Sequence, residues 1–392
     1  MRSGLPGLRP LNILGISLDR SLVTEGGAIG DNLWRQRRYA QALEHLWYIV
    51  YTGRGPGYAP RQLADNLVAY PTRSRARVLF PLDAFRLGYA IICRHGVDLI
   101  TAQDPFATGL AGYWLKRRFG IPLSVMVFSS FFENPEWLAT GVEARLLHPL
   151  GKFIVRRADS IRVESPVERE RLIRLGISAD RIRVIPLLID LERFARADPA
   201  PARARLGHHP VVLYAGRLSA EKNLPLLLEA AARVALHRPD ALFVLAGDGP
   251  QRPHLERLAA HLKLSAVRFL GVVPREELPA YFAACDLFVL PSRYEGIPTV
   301  LIEAAAAGKP VITAPLRDAI DVMTPGETGF IVERTAEALA ERITFLLDHP
   351  DTARAMGQRG RARILCWYDP ARIFADLLAM WRETATRRGA AP

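Results

Sequence analysis

The stretch 271–332 contains two glutamates, Glu295 and Glu303, with seven residues between them. Glu295 follows the apolar run 287–290, which is typical of a buried parallel strand. Pro298 can occupy the first position of an alanine-rich helix that ends at Gly308, so Glu303 lies about one turn inside that helix. Both carboxylates therefore lie near a helix N-terminus, where backbone N–H groups attract phosphate. A ligand that carries both phosphates and hydroxyl groups, such as a nucleotide sugar, suits this arrangement.

Two cations follow an earlier predicted strand, 211–215. Arg217 follows it with only Gly216 between, and Lys222 lies five residues later, before a predicted helix. Cations that converge on a loop at a strand end can neutralise a diphosphate, whose charge grows as a glycosyl bond breaks. Each cation alone could equally be a surface ion-pair residue, since Glu221 is adjacent. The sequence AGDGP at 246–250 favours a tight turn after another strand, which lines a site without taking part in catalysis.

These three segments resemble the donor-binding half of retaining glycosyltransferases of the GT-B fold, family 4. They occur in the order and spacing of that family and cover essentially the second half of the chain, while the first half resembles it more thinly. The resemblance implies an α/β protein of two doubly wound, Rossmann-like domains that face each other across a cleft. It also implies transfer of a sugar from a nucleotide-diphosphate sugar to a saccharide or lipid-linked saccharide. The nucleotide sugar would be a substrate, and no cofactor or metal would be required.

The resemblance also assigns residue roles. In the family, residues that match Arg217 and Lys222 stabilise the leaving diphosphate. The residue that matches Glu295 contacts the donor sugar or lies beside the reacting centre, and the one that matches Glu303 accepts hydrogen bonds from ribose hydroxyls. The expected catalytic residues are therefore Arg217, Lys222 and Glu295. The expected donor-binding residues are Gly26, Gly27, Gly216, Gly247, Val272, Val273, Gly296, Ile297, Pro298, Thr299, Val300 and Glu303.

One feature departs from the family. Many relatives carry a histidine at the end of a strand in the first half, and Phe128 stands at that position here, with no histidine between His95 and His148. Either a neighbour replaces the imidazole, or the enzyme works without it, or activity is lost. The substitutes that the sequence offers are Ser129, Ser130, Glu133 and Asp104, and the aromatic residues Phe131, Phe132 and Trp137 would line an acceptor groove or pack in the core.

Two other function classes stay open. The missing histidine suggests a catalytically impaired, nucleotide-sugar-binding partner subunit. A sugar-nucleotide epimerase on the same fold is the second alternative. The products separate these classes, because transfer yields a nucleoside diphosphate and a glycoside, epimerisation yields an altered sugar, and a binding subunit yields neither.

At 392 residues the chain is too long for one hydrophobic core and suits two domains. We expect an N-terminal, acceptor-side domain at 1–190, a Pro/Ala/Arg-rich linker at 191–209 and a donor domain at 210–368. Residues 369–392 would form a helix that packs back on the N-terminal domain, with a frayed tail after Arg387. The strands predicted from apolar runs are 11–17, 46–51, 66–70, 97–102, 123–128, 160–164, 181–185, 211–215, 241–246, 267–272 and 287–290.

The net charge of +12 is uneven, because residues 1–190 hold 26 Lys and Arg against 17 Asp and Glu, a net of +9. No helix-turn-helix, zinc or RNA-binding signature accompanies this charge, so nucleic acid is not an expected partner. Peripheral contact with an anionic membrane through the basic N-terminal domain would explain the charge, as would an anionic lipid-pyrophosphate acceptor. A GC-rich genome that favours arginine on solvated faces would also explain the charge. The basic clusters are Arg35, Arg37 and Arg38, then Arg73, Arg75 and Arg77, then Lys116, Arg117 and Arg118.

The three cysteines, Cys93, Cys285 and Cys366, lie far apart without a C-x-x-C motif, which fits a reducing cytosol. No apolar run approaches the ~18 residues that span a bilayer, and no signal peptide is predicted at the N-terminus. We therefore expect a cytoplasmic protein, or one held peripherally on the inner face of the plasma membrane.

Overall fold

The computed structural model describes residues 9–24, 32–55, 58–128, 131–139, 141–295, 298–316 and 322–387. The chain divides into two compact units. The first unit comprises Met1–Leu188 and Pro370–Pro392, and the second comprises Ile189–Asp369.

The first unit is built on a sheet that has eight strands within the described residues, in the order β3-β4-β2-β1-β5-β6-β7-β8. All neighbours are parallel except β3 and β4, which are antiparallel. The strand order runs outward from β1 in both directions, so the carboxyl ends of β1 and β5 form a topological switch point. The strands are β1 (Asn12–Ser17), β2 (His45–Val50), β3 (Arg61–Ala64), β4 (Leu67–Pro71), β5 (Leu99–Ala102), β6 (Leu123–Val127), β7 (Ser160–Val163) and β8 (Ile182–Val184).

Helices connect these strands. Ser165 is the N-cap of the helix that begins at Pro166, because its Oγ accepts from the backbone N–H of Glu168 at 3.2 Å. The helices are α1 (Asn32–Ala40), α2 (Phe80–His95), α3 (Ala107–Phe119), α4 (Pro135–Leu138), α5 (Val142–Arg157) and α6 (Pro166–Arg174).

The second unit is built on a fully parallel sheet with the strand order β11-β10-β9-β12-β13-β14 among the described residues. Its strands β9, β10 and β12 are buried along their whole length, as expected for parallel strands covered on both faces. From β9, the chain adds β10 and β11 on one side and β12, β13 and β14 on the other. The carboxyl ends of β9 and β12 therefore form the switch point of this sheet. The strands are β9 (Val211–Ala215), β10 (Leu242–Ala246), β11 (Val267–Gly271), β12 (Leu287–Leu290), β13 (Val311–Thr313) and β14 (Gly329–Ile331).

The segment predicted as a linker, 191–209, is instead part of the second unit and contains two short helices. Phe194 and Leu206 are each 1% exposed, and the Phe194 ring packs edge-on against Phe282 at 5.4 Å between centroids. Burial of these two apolar side chains holds a Pro/Ala/Arg-rich stretch against the domain. The helices of this unit are α7 (Glu192–Ala195), α8 (Ala200–Leu206), α9 (Leu224–Val234), α10 (Arg252–His261), α11 (Leu278–Ala284), α12 (Thr299–Ala306), α13 (Ala336–Asp348) and α14 (Pro350–Trp367).

The C-terminal helix α15 (Pro370–Thr386) belongs to the first unit. Trp381 on this helix is 1% exposed and meets the Tyr39 ring edge-on, and Thr384 Oγ1 donates to Ser160 Oγ at 2.8 Å. The tail predicted after Arg387 lies outside the described residues. Within the described ranges, no helix combines the length and the apolar character needed to cross a membrane.

The three thiols differ in exposure, which gives a first testable prediction. Cys93 and Cys366 are exposed, whereas Cys285 is 1% exposed and burial raises its pKa to about 12. Because the thiolate is the reactive form, a disulfide reagent should label two thiols rapidly in the native protein and the third only after denaturation. Spectrophotometric titration of thiols checks this, with Cys285→Ala as the control that should lose only the label added after denaturation. Rapid labelling of all three thiols would show that the α11–β12 junction is open.

Candidate functional site

An ion pair joins the two loops at the switch point of the second sheet. The Lys222 ammonium, on the loop after β9, lies 2.6 and 2.8 Å from the two carboxylate oxygens of Glu295, on the loop after β12. The side chains are only 19% and 13% exposed, so solvent screens the pair weakly. The partner of Lys222 is thus Glu295, 73 residues away, and not the adjacent Glu221.

Backbone contacts hold these loops together. The N–H of Arg293 donates to the carbonyl of Glu221 at 2.8 Å, and the Glu221 carboxylate accepts from Ser219 Oγ. Asn223 ends the 3-10 turn 220–222 in the left-handed region at φ 53°, which asparagine tolerates better than most residues. Lys222 is therefore placed by the turn and by the neighbouring loop, and not only by its ion pair.

Ser292 completes this cluster and is not among the residues predicted from the sequence. The side chain is fully buried, and Oγ donates to Glu295 Oε1 at 2.7 Å. The carboxylate thus accepts hydrogen bonds from both an ammonium and a hydroxyl group, which fixes its orientation. The available signal was a serine two residues after the predicted strand and three residues before Glu295.

The loop after β9 presents a second cation. Tyr214, fully buried, donates from Oη to the carbonyl of Arg217 at 2.9 Å and so supports the loop from beneath. Burial raises the pKa of the Tyr214 phenol, and the charges of Glu295 and Glu221 raise it further, so the phenol stays protonated. The Arg217 side chain is exposed and, within the described ranges, forms no hydrogen bond or ion pair. Its charge is therefore available to an anion.

Glycines let three neighbouring loops approach closely. A Cβ atom added to Gly247 would collide with the carbonyl oxygen of Gly216, and one added to Gly249 would collide with that of Leu218. The N–H of Gly247 donates to the carbonyl oxygen of Gly271 at 2.8 Å, which joins the loop after β10 to the end of β11. Asp248 Oδ1 accepts from the N–H of Gly249 at 2.7 Å, which stabilises the turn.

Helix α12 carries the other predicted donor-binding residues. It begins at Thr299, and Pro298 is the N-cap residue, one position earlier than predicted. Thr299 and Val300 are half-buried in the first turn, and Glu303, its fifth residue, is 9% exposed. Two further predicted residues follow β11, where Val272 is 56% exposed and Val273 is half-buried. The predicted residues Gly26, Gly27, Gly296 and Ile297 lie outside the described residues.

Phe128 directly follows β6 in the first unit, whereas the sequence predicts it as the last residue of that strand, and it is half-buried. The guanidinium of the fully buried Arg162 lies 5.6 Å from the centroid of its ring. A cation beside an aromatic ring at this distance is attracted by the ring quadrupole. The neighbours Ser129 and Ser130, named above as substitutes for a histidine, lie outside the described residues.

The two acidic substitutes have structural partners. Asp104 Oδ1 accepts from the N–H groups of Phe106 at 2.7 Å and Thr108 at 3.3 Å, which caps the start of α3. Burial raises the pKa of Asp104 in spite of these hydrogen bonds. Glu133 is exposed and forms an ion pair with Arg174 at 3.1 Å.

The aromatic residues near this loop take two positions. Phe132 is fully buried in the core, while Phe131 and Trp137 are half-buried and pack against each other at 5.4 Å between centroids. His148 on α5 lies 6.2 Å from the Phe132 ring, and burial lowers its pKa, with Lys152 adding to this effect. Phe131 and Trp137 are thus the two predicted acceptor-groove residues that retain accessible surface.

No group of three or more His, Cys, Asp or Glu side chains that could hold a metal ion occurs in the described part of the chain.

In a comparison with known proteins, each half of the chain matches a family model. Residues 34–193 match the model of Glycosyltransferase Family 4, and residues 201–363 match that of Glycosyl transferases group 1. The chain is 37% identical over 356 residues to a D-inositol 3-phosphate glycosyltransferase from Nocardia farcinica, covering 84% of this chain and 79% of that relative.

Solved structures give the same picture of the fold. Sucrose-phosphate synthase from Thermosynechococcus elongatus superposes with a TM-score of 0.80 at 25% identity, covering 95% of this chain and 98% of that one. HepE from Anabaena, solved in complex with UDP-glucose, superposes with a TM-score of 0.75 at 20% identity, covering 94% and 99%.

Proposed function

Since the chain belongs to the family-4 glycosyltransferases of the GT-B fold, we propose that it moves a sugar from a nucleotide-diphosphate sugar to a saccharide or lipid-linked saccharide. The proposal includes retention of the anomeric configuration and independence from metal ions. The observation that carries it is the Lys222–Glu295–Ser292 cluster at the switch point of the second sheet, with the free cation of Arg217 on the same edge.

The donor diphosphate would lie against the loops after β9 and β12. Arg217 offers an uncommitted guanidinium, and Lys222 has three N–H donors, so it can bind phosphate while it holds Glu295. The first turn of α12 adds backbone N–H groups and the positive end of a helix dipole. These groups supply the positive charge that a leaving diphosphate needs, which supports a mechanism without a metal ion.

The nucleoside would extend along the same edge of the sheet. Glu303, nearly buried on α12, would accept from ribose hydroxyls, and the backbone at Val272 and Val273 would meet the base. Glu295, fixed by two hydrogen bonds, would contact the hydroxyls of the sugar. HepE, which shares this fold, was solved with UDP-glucose, and this supports a nucleotide sugar as the donor.

The reaction would proceed by attack on the face of the sugar that the leaving phosphate occupies. The acceptor hydroxyl oxygen forms a bond to the anomeric carbon while the bond from that carbon to the phosphate oxygen breaks. The hydroxyl proton passes to the departing phosphate oxygen, and a nucleoside diphosphate leaves. Lys222 and Arg217 stabilise the charge that develops on this phosphate, so the protein need not supply a nucleophile.

The first unit would bind the acceptor. Its half-buried aromatic pair, Phe131 and Trp137, offers apolar surface near the carboxyl end of β6, where a sugar ring can stack.

Phe128 supports a second candidate function, that of a partner subunit that binds a nucleotide sugar without transferring it. Phe128 has no ionisable group, and Asp104 and Glu133 have structural partners.

Product analysis tests the proposal. The purified protein is incubated with a nucleotide sugar and a saccharide acceptor, and nucleoside diphosphate and glycoside are quantified with and without EDTA. We expect equal amounts of both products and no effect of EDTA. An altered sugar with no glycoside would favour the epimerase, loss of transfer in EDTA would refute metal independence, and tight nucleotide binding without any product would favour the binding subunit.

The donor base is identified first by thermal unfolding with UDP, GDP, ADP, CDP and their sugar conjugates. A ligand present at about 100 times its Kd adds about 2.7 kcal/mol of stability, which raises the midpoint by a few degrees. A shift with one nucleotide selects the donor for the product assay. No shift with any of them would argue against a nucleotide site in the second unit.

A further inference from the structure

The first unit exposes an unusual concentration of large apolar side chains. Of the eleven large hydrophobic residues that are exposed in the described part of the chain, seven lie on α2, α3, α5 or the turn that precedes α2. We call this set the apolar face. Its members are Val78 (81% exposed), Leu79 (40%), Leu82 (39%), Tyr89 (37%), Trp114 (37%), Val142 (70%) and Leu146 (70%).

Contacts show that the three helices contribute to one surface. The Arg77 guanidinium lies 3.7 Å from the Glu143 carboxylate, which places the turn before α2 beside the start of α5. Phe85 on α2 touches both Tyr89 and Trp114, with ring centroids 6.3 Å apart in each case, which links α2 to α3. The apolar side chains therefore extend along α2 to α3, and the Arg77–Glu143 pair brings the start of α5 beside the turn before α2.

Arginines surround this face. Arg75 and Arg145 are exposed and form no ion pair within the described ranges, while Arg118 lies over the Tyr89 ring at 5.6 Å. The acidic residues beside the face, Asp83 and Glu143, are each already paired with an arginine. The net charge around the apolar side chains is therefore positive.

We propose that the apolar face docks on a membrane surface rich in anionic phospholipid. Exposed Val and Leu side chains can enter the acyl boundary, Trp and Tyr favour the headgroup level, and arginine binds lipid phosphate while its stem stays in apolar surroundings. The combination favours this occupant over an acidic peptide, which would satisfy the arginines but leave the aliphatic side chains in water.

The placement of the face has a functional consequence. Leu82, Val142 and Leu146 lie at the N-terminal ends of α2 and α5, and Val78 lies in the turn before α2. These two helices follow the carboxyl ends of β4 and β6. Phe128, Phe131 and Trp137 lie at the same edge of the sheet. Docking through the apolar face would hold this edge next to the bilayer, where a lipid-linked acceptor resides. The docking itself does not depend on the proposed transfer reaction.

Vesicle flotation tests the apolar part. The full-length protein is mixed with vesicles of phosphatidylcholine, or of equal parts phosphatidylcholine and phosphatidylglycerol. We expect binding to the anionic vesicles only, and at least about a tenfold loss of affinity when four exposed aliphatic residues become serine. The substitutions are Val78→Ser, Leu82→Ser, Val142→Ser and Leu146→Ser, and the matched control is Leu236→Ser with Leu365→Ser, which are exposed in the second unit.

A second pair of variants tests the charge. Arg75→Gln with Arg145→Gln should lower affinity about fivefold per arginine, and added salt should weaken the wild type more than this variant. Arg54→Gln with Arg363→Gln removes the same charge from other exposed positions and should have a smaller effect. Equal effects of the two pairs would mean that only overall charge matters, which would overturn the assignment to this face.

Two further outcomes would also overturn the proposal. One is an absence of binding to anionic vesicles by a monomeric protein. The other is light scattering that shows an oligomer which the serine variant dissociates, because the face would then bind a second copy of the chain. Nucleotide-induced thermal shifts of the serine variant should equal those of the wild type, so a failure of membrane docking is distinguishable from a failure of the proposed transfer function.

Discussion

Replacement of Lys222 by alanine should lower kcat/KM for sugar transfer by about 10²–10³-fold, as expected when one preorganised donor to a developing oxyanion is removed. Two losses combine in this variant. The leaving diphosphate loses a cation, and the Glu295 carboxylate, no longer paired, repels the phosphates. The Lys222 side chain is 19% exposed, so the electrostatic energy that is lost lies between the value for fully exposed charges and that for buried ones. At an effective dielectric constant near 20, unit charges about 4 Å apart interact by about 4 kcal/mol.

The two losses can be separated by a double-mutant cycle. If repulsion by Glu295 contributes, then Glu295→Gln should restore part of the nucleotide affinity that Lys222→Ala removes. Lys309→Ala removes a lysine from the opposite edge of the same sheet, before β13, and is the matched control. Circular dichroism confirms that each variant is folded. If Lys222→Ala transfers sugar as fast as Lys309→Ala, the assignment of the diphosphate site is wrong.

Much of the second unit could be predicted because its central strands, β9, β10 and β12, are buried along their whole length. The run 287–290 was predicted as a strand and is β12, and the runs at 211–215 and 241–246 correspond to β9 and β10. The strands β13 and β14 have three residues each, too few for an apolar run to stand out, and they were not predicted. In the first unit the edge strand β3 was missed, because only one of its four residues is buried.

The loop residues show why the site was only partly predictable. Motif spacing identified Lys222 and Glu295, but it gave neither residue as the partner of the other, because their proximity depends on the order of β9 and β12 in the sheet. Ser292 was missed for a related reason, since a serine after a strand is common and only its geometry relates it to Glu295. Conversely, Asp104 was a plausible catalytic carboxylate in the sequence, and its role as a cap becomes visible only in the hydrogen bonds to α3.

Replacement of Glu303 by glutamine should weaken binding of the preferred nucleoside diphosphate by about 10- to 100-fold, because hydrogen bonds to a charged group contribute about 1.5–3 kcal/mol. Glutamine preserves the volume of this nearly buried side chain, so the protein should remain folded. Calorimetric titration with the nucleotide and with its 2′-deoxy analogue gives a specific readout. The wild type should discriminate between them, and the variant should bind both almost equally, because the acceptor of the ribose hydroxyls is weakened.

Glu333→Gln, at an exposed position after β14, is the control and should retain the discrimination. If Glu303→Gln still prefers the ribonucleotide as strongly as the wild type does, Glu303 does not contact the ribose. Its carboxylate would then serve only the packing of α12, and the nucleotide would have to lie elsewhere along the edge of the sheet. If affinity falls equally for both ligands, the effect acts through the helix N-terminus and the phosphates, and the ribose contact must be assigned to another residue.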